Sequence, residues 1–103
     1  MKNIVISGRL VADPTMRTVG EQQTKIANFR LANADSDKEN AEFYDVHAWD
    51  RLADFCEGYL HKGTRIYVQG TFNMEQYKDS EGKNRNHFEI TALKIEFGEA
   101  RNT

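Results

Sequence analysis

Apolar side chains recur at every second position over most of the chain, and only one window departs from that rhythm. The run Asn3-Ile4-Val5-Ile6-Ser7-Gly8-Arg9-Leu10-Val11 predicts a strand with a glycine where it bends or bulges. Asp13-Pro14 breaks it, and Thr15 to Val19 reads as a continuation after the break. The polar turn Gly20-Glu21-Gln22-Gln23 leads into Thr24 to Ala32, where Ala27, Phe29 and Leu31 alternate with Asn28 and Arg30. Asn33 to Asn40 holds no apolar side chain larger than alanine and predicts a solvated loop. The third strand, from about Glu42 to Trp49, sets Tyr44, Val46 and Ala48 on one face and Phe43, Asp45, His47 and Trp49 on the other. The first face is the candidate core. The second sets two large aromatics beside two polar groups, a mixture that core burial does not explain.

Helical spacing follows, with Leu52, Phe55, Cys56, Tyr59 and Leu60 at i, i+3, i+4, i+7 and i+8. Asp50 is the expected N-cap, and Lys62-Gly63 the expected basic last turn and left-handed stop. Arg65 to Tyr77 then predicts a long strand with Ile66, Val68, Phe72 and Met74 in phase, and Asp79-Ser80-Glu81-Gly82 a turn. The last strand, from about Arg85, carries Phe88, Ile90 and Ala92, then Leu93, Ile95 and Phe97. Its change of parity at Ala92-Leu93 predicts a bulge or a change of face. Three strands, one helix and two strands are the order of an all-β OB fold, a five-stranded Greek-key barrel with its helix between strands three and four. A β-sandwich would want about seven strands and no central helix. One OB domain over residues 1–98 is expected, with a polar tail at 99–103 that frays.

Composition fits this and narrows the chemistry. A chain of 103 residues, 39% hydrophobic and 11% aromatic, builds one domain of ordinary size. The longest apolar run, Ile4-Val5-Ile6, is far too short for a membrane helix, and the N-terminus lacks the apolar core of a secretory signal. The lone Cys56 builds neither a disulfide framework nor a thiolate metal site, and its place on the helix stripe predicts a buried, inert thiol in a reducing, cytoplasmic setting. His47, His61 and His87 sit on different elements without metal spacing, although His47 shares the aromatic face. Asp35, Asp37, Glu39 and Glu42 lack the glycine and distal glutamate of a calcium loop. With no phosphate loop and no nucleophile elbow either, a non-catalytic protein without cofactor or metal is expected. Sixteen acidic against fourteen basic residues, a net charge of −2, do not announce a nucleic-acid binder.

Four stretches nevertheless carry a specific likeness: Asn3 with Gly8 to Arg17; Ile26 to Ala32; Trp49 to Asp54; and Tyr59 to Gly70. The hairpin Tyr77 to Arg85, with Glu89-Ile90 and Ile95-Glu96-Phe97, extends it almost to the C-terminus. Together they resemble the bacterial and phage type single-stranded DNA-binding protein (SSB) family over roughly the whole chain. The resemblance implies an OB fold, assembly as a homotetramer or dimer, and binding of single-stranded DNA through aromatic platforms and a basic track. Residue by residue, it carries the stacking role to Phe43, Trp49 and Tyr77. It places Arg17, Arg51 and Lys62, and the hairpin residues Lys78, Lys83 and Arg85, along the DNA backbone.

A further family aromatic, in the loop after strand two, has no counterpart between Asn33 and Asn40. Asn73-Met74-Glu75-Gln76 replaces a basic segment, and Asp45 sits on the stacking face, so the expected binding leans on stacking more than on charge. Tyr44 and Tyr67 are expected in core or oligomer packing. The implied role is protection of single strands in replication, recombination or repair. Replication and repair proteins are possible partners, yet no acidic recruiting tail follows the domain. The alternative is a primosome-like accessory OB protein that works mainly through protein contacts.

Overall fold

Alternating β-branched and aromatic residues form the strands β1 (Asn3–Leu10), β2 (Thr15–Val19), β3 (Thr24–Asn33), β4 (Phe43–Trp49), β5 (Arg65–Lys78) and β6 (Asn84–Phe97), with the helix α1 (Arg51–Tyr59) between β4 and β5. The computed structural model describes residues 2–33 and 42–98. Most of the predicted loop from Asn33 to Asn40, with Asp35, Asp37 and Glu39, and the tail at 99–103 lie outside the described residues. The strands form one sheet in the order β1-β5-β6-β4-β3-β2, and β1 also pairs with β3 at Gly8 to Leu10. That second pairing turns the sheet into a barrel. β4 and β6 run parallel, and the remaining pairs are antiparallel. β1 and β2 are the two halves of the predicted first strand, parted at Asp13-Pro14, so the five-stranded reading and these six segments describe one barrel.

Inward positions alternate with outward ones as the pattern requires. Ile6 and Leu10 of β1, Ala27, Phe29 and Leu31 of β3, Tyr44, Val46 and Ala48 of β4, and Ile66 and Val68 of β5 are buried in one cluster. Ala53, Cys56 and Leu60 enter this cluster from the helical segment, and burial pushes the Cys56 thiol up to about 12. Two inward positions admit only glycine. A Cβ at Gly8 would lie 2.4 Å from the Ala32 carbonyl oxygen, and one at Gly70 would lie 2.1 Å from that of Thr91. Opposite Gln69 and Gly70 the register jumps from Lys94 to Ala92, which leaves Leu93 as the bulge residue that the parity change predicted.

Three local expectations are corrected. Asp50 does not cap α1 with its side chain; it takes φ 56 and ψ −120, and its carbonyl accepts the Asp54 N–H at 3.1 Å. The helix ends at Leu60 in an extended conformation, so Lys62 is not in its last turn. Gly63, at φ 89, turns the loop that follows and donates its N–H to Leu10 at 2.8 Å. Tyr44 joins the core, whereas Tyr67 stands exposed on the outside of β5.

Beyond the barrel, β5 and β6 continue as a two-stranded arm, with Tyr77 opposite Arg85 near its tip. The radius of gyration is 14.4 Å, against about 13 Å expected of a compact chain of this length. No helix among the described residues is long and apolar enough to cross a membrane.

Candidate nucleic-acid interface

The outer face of β3 and β4 is a ladder of opposed side chains. From one end to the other, Ala32 faces Phe43, Arg30 faces Asp45, Asn28 faces His47 and Ile26 faces Trp49. Phe43 is 47% exposed and Trp49 45%. Strand periodicity puts both on one face, six residues and about 20 Å apart. Ile26 is only 1% exposed, yet it lies outside the core cluster. Its parity puts it on this outer face, directly across from Trp49 in the register.

Between the aromatics the face is polar and internally bonded. Asp45 accepts a hydrogen bond from Arg30 Nε at 2.9 Å on one oxygen and lies 2.6 Å from His87 Nε2 on the other. Burial alone would raise the Asp45 carboxyl, but the bonds from Arg30 and His87 outweigh it and hold the group below the usual carboxylate range. The same bond pushes the Arg30 guanidinium up from its ordinary value. His47 Nδ1 and Asn28 Oδ1 are hydrogen-bonded across the strands. An open cleft of about 370 Å³ sits here, lined by Asn28, Arg30, Asp45 and His47 together with Val11, Ala12 and Asp13 of the β1–β2 connection and Thr15 at the start of β2. That connection is anchored at both sides: the Val11 N–H donates to Arg30 O at 3.0 Å, and the Lys62 N–H to Asp13 Oδ1 at 2.8 Å.

The predicted basic residues divide into two groups. Arg17 lies in the same cross-strand row as Ile26 and Trp49, and Arg51 opens α1 two residues after Trp49. Lys62 follows the helix beside Asp13, and Lys78 ends β5 in an exposed position. None of these four side chains has an acidic partner in the ion pairs of the described residues. On the arm, by contrast, Arg85 Nε donates to Asp79 Oδ2 at 2.9 Å, and Lys83 Nζ lies 3.9 Å from Glu81. Arg85 and the N–H groups of Lys83 and Glu81 hold the Asp79 carboxyl below its ordinary range.

Tyr77 is 52% exposed on the arm, and His87 of the same β6 strand meets Asp45 on the face. Phe43, Trp49 and Tyr77 thus all project outward from the elements around this face. Periodicity did not single out Asn28, Arg30 and His87 as site residues. The alternation around Phe29 carried a signal for the first two, but His87 meets Asp45 only through the parallel β4–β6 pairing, which no local pattern encodes.

A model of the single-strand binding protein family matches residues 1–98. A single-stranded DNA-binding protein of Fusobacterium nucleatum subsp. nucleatum is 32% identical over 108 residues, covering 98% of this chain and 69% of that protein. Single-stranded DNA-binding protein 2 of Chlorobaculum tepidum is 30% identical over 104 residues, covering 94% of this chain and 70% of that protein. The crystal structure of a deletion mutant of the single-stranded DNA binding protein from Thermus aquaticus shares the fold, with a TM-score of 0.74 at 24% identity. The match takes in 100% of this chain and 43% of that one. The chain belongs to the single-strand binding protein family.

Proposed function

We propose that this chain binds single-stranded DNA without a strict sequence requirement, by stacking bases on Phe43, Trp49 and Tyr77 while Arg17, Arg51, Lys62 and Lys78 follow the phosphates. The observation that carries this reading is the pair of half-exposed aromatics at the two ends of one strand face. Every base has a stackable face, so such platforms give affinity that tolerates sequence. Duplex DNA hides its base faces and gains only the charge term. Lys83 and Arg85 contribute less than their position suggests, because Glu81 and Asp79 already engage them.

The outer faces of β1 and β5 and the bulge on β6 leave Val5, Tyr67 and Leu93 exposed, which supports self-association of the chain through that side. Such a binder shields transient single strands in replication, recombination or repair. The test uses Trp49, the only tryptophan. Titration with oligo-dT of a few tens of nucleotides at low salt should quench its emission, and the corresponding duplex should leave it nearly unchanged. Unchanged emission and mobility with the single strand would overturn the reading. A response insensitive to salt together with a clear protein partner would favour an accessory protein instead.

A further inference from the structure

We infer that His87 is a proton-operated counterion at the root of the arm, one that sets how readily a single strand crosses from the strand face to Tyr77, so that binding tightens as the pH falls from 8 to 6. The inference rests on the single-strand reading above and adds to it a control that stacking platforms do not supply. The parallel β4–β6 register sets Asp45 directly opposite Glu89, two carboxylates on one outer face. Like charges so placed repel one another. The antiparallel β5–β6 register sets Glu75 opposite His87 on that same face, with Tyr77 opposite Arg85 one step nearer the tip. Three carboxylates therefore lie across the way from the Phe43–Trp49 face to the end of the arm.

His87 is placed to neutralise them. Its Nε2 lies 2.6 Å from Asp45 Oδ2 and its Nδ1 3.8 Å from Glu89 Oε1, so one partly exposed ring spans the two opposed carboxylates. Of the other cations near it, Arg30 of β3 donates to the second oxygen of Asp45, and Arg85 of β6 is held by Asp79. His47, two residues along β4 from Asp45, is bonded to Asn28 instead. Three carboxylates against the one guanidinium of Arg30 leave the crossing at a net −2 with a neutral His87 and at −1 with a protonated one. Histidine is the side chain that ordinarily changes charge between pH 5 and 8. Asp45, held below the usual carboxylate range, stays ionised throughout. A phosphate that enters beside the imidazolium gains an attraction where it otherwise meets repulsion. By linkage, a strand that prefers the protonated form draws a proton onto His87 and binds more tightly as the pH falls.

The experiment measures affinity for oligo-dT, whose bases do not titrate in this interval, at pH 8 and pH 6 and constant ionic strength, in the full chain and in His87→Gln and His87→Lys. The ratio of the two affinities is the readout. The expected wild-type gain at pH 6 is about fivefold. His87→Gln keeps an N–H for Asp45 but never gains a charge, so it should lose most of that gain and bind at both pH values as the wild type does at pH 8. His87→Lys, charged throughout, should bind at both as the wild type does at pH 6. Should His87→Gln fail to fold, His87→Lys carries the test. A wild-type affinity equal at the two pH values, or a gain that persists undiminished in either folded variant, overturns the proton-operated crossing and leaves the single-strand reading standing. No binding of oligo-dT at either pH overturns both.

Discussion

Trp49 lies directly across from the buried Ile26 at one end of a strand face. Trp49→Ala should weaken binding to oligo-dT by about 1–3 kcal/mol, measured by anisotropy of a labelled oligonucleotide, with little change in melting temperature because the side chain is half exposed. Asp79 does the reverse, holding Arg85 away from any other anion. Asp79→Asn keeps an oxygen for the N–H groups of Glu81 and Lys83 but drops the charge, so it should tighten binding at low salt and steepen the salt dependence by about 0.7 in log–log slope.

Asp45 and Asp79 also set the acid response. Both folded carboxyls lie below their ordinary 3.8, so the native state binds fewer protons than the unfolded chain. Their stabilisation is fully present above 3.8 and is lost as the pH falls through the lower folded values. Acid unfolding followed by circular dichroism should therefore shift to higher pH in Asp45→Asn, which lacks this contribution at every pH. At this scale the alternation Phe43, Asp45, His47, Trp49 was legible because a strand shows each face at every second residue. The clasp of Arg85 by Asp79 was not, because charge pairing across a turn depends on rotamers and not on spacing. Asp50 failed as a cap because its backbone takes a positive φ.

Among the elements, the arm and the barrel differ in what holds them. The barrel half of β5 is paired on both sides, by β1 and β6, whereas its arm half is paired by β6 alone. Gly70 marks the crossing, where the strands approach so closely that a Cβ would meet the Thr91 carbonyl. Gly70→Ala should cost about 1–3 kcal/mol through forced backbone movement, which appears as a fall in melting temperature of about 4–8 °C per kcal/mol. Strand and helix identities followed from periods of two and 3.6, and Asp13-Pro14 marked the break between β1 and β2 because proline cannot donate to a ladder. The parallel β4–β6 pair and the β1–β3 closure join residues far apart in the chain, so they came from the order of elements and the family likeness, and not from any local window.

For the whole molecule, the net charge of −2 takes on a definite meaning. Acidic side chains occupy part of the basic set: Asp45 binds Arg30, Asp79 binds Arg85, and Glu81 lies beside Lys83. Among the described residues, Arg17, Arg51, Lys62 and Lys78 remain as the members of the predicted track without an ion pair. With about −0.7 per phosphate contact on a single strand, four contacts give a salt slope of about −3. A slope near −4 or steeper in the wild type would mean that the arm pairs open on binding. On the proposed reading, affinity comes mainly from the aromatic face. The most direct test compares the affinity of the wild-type chain for labelled oligo-dT with that of Phe43→Ala/Trp49→Ala, both checked for folding. A loss of roughly a hundredfold in the double variant, with wild-type binding to duplex already weak, is the predicted result. A double variant that binds as tightly as the wild type would contradict the account.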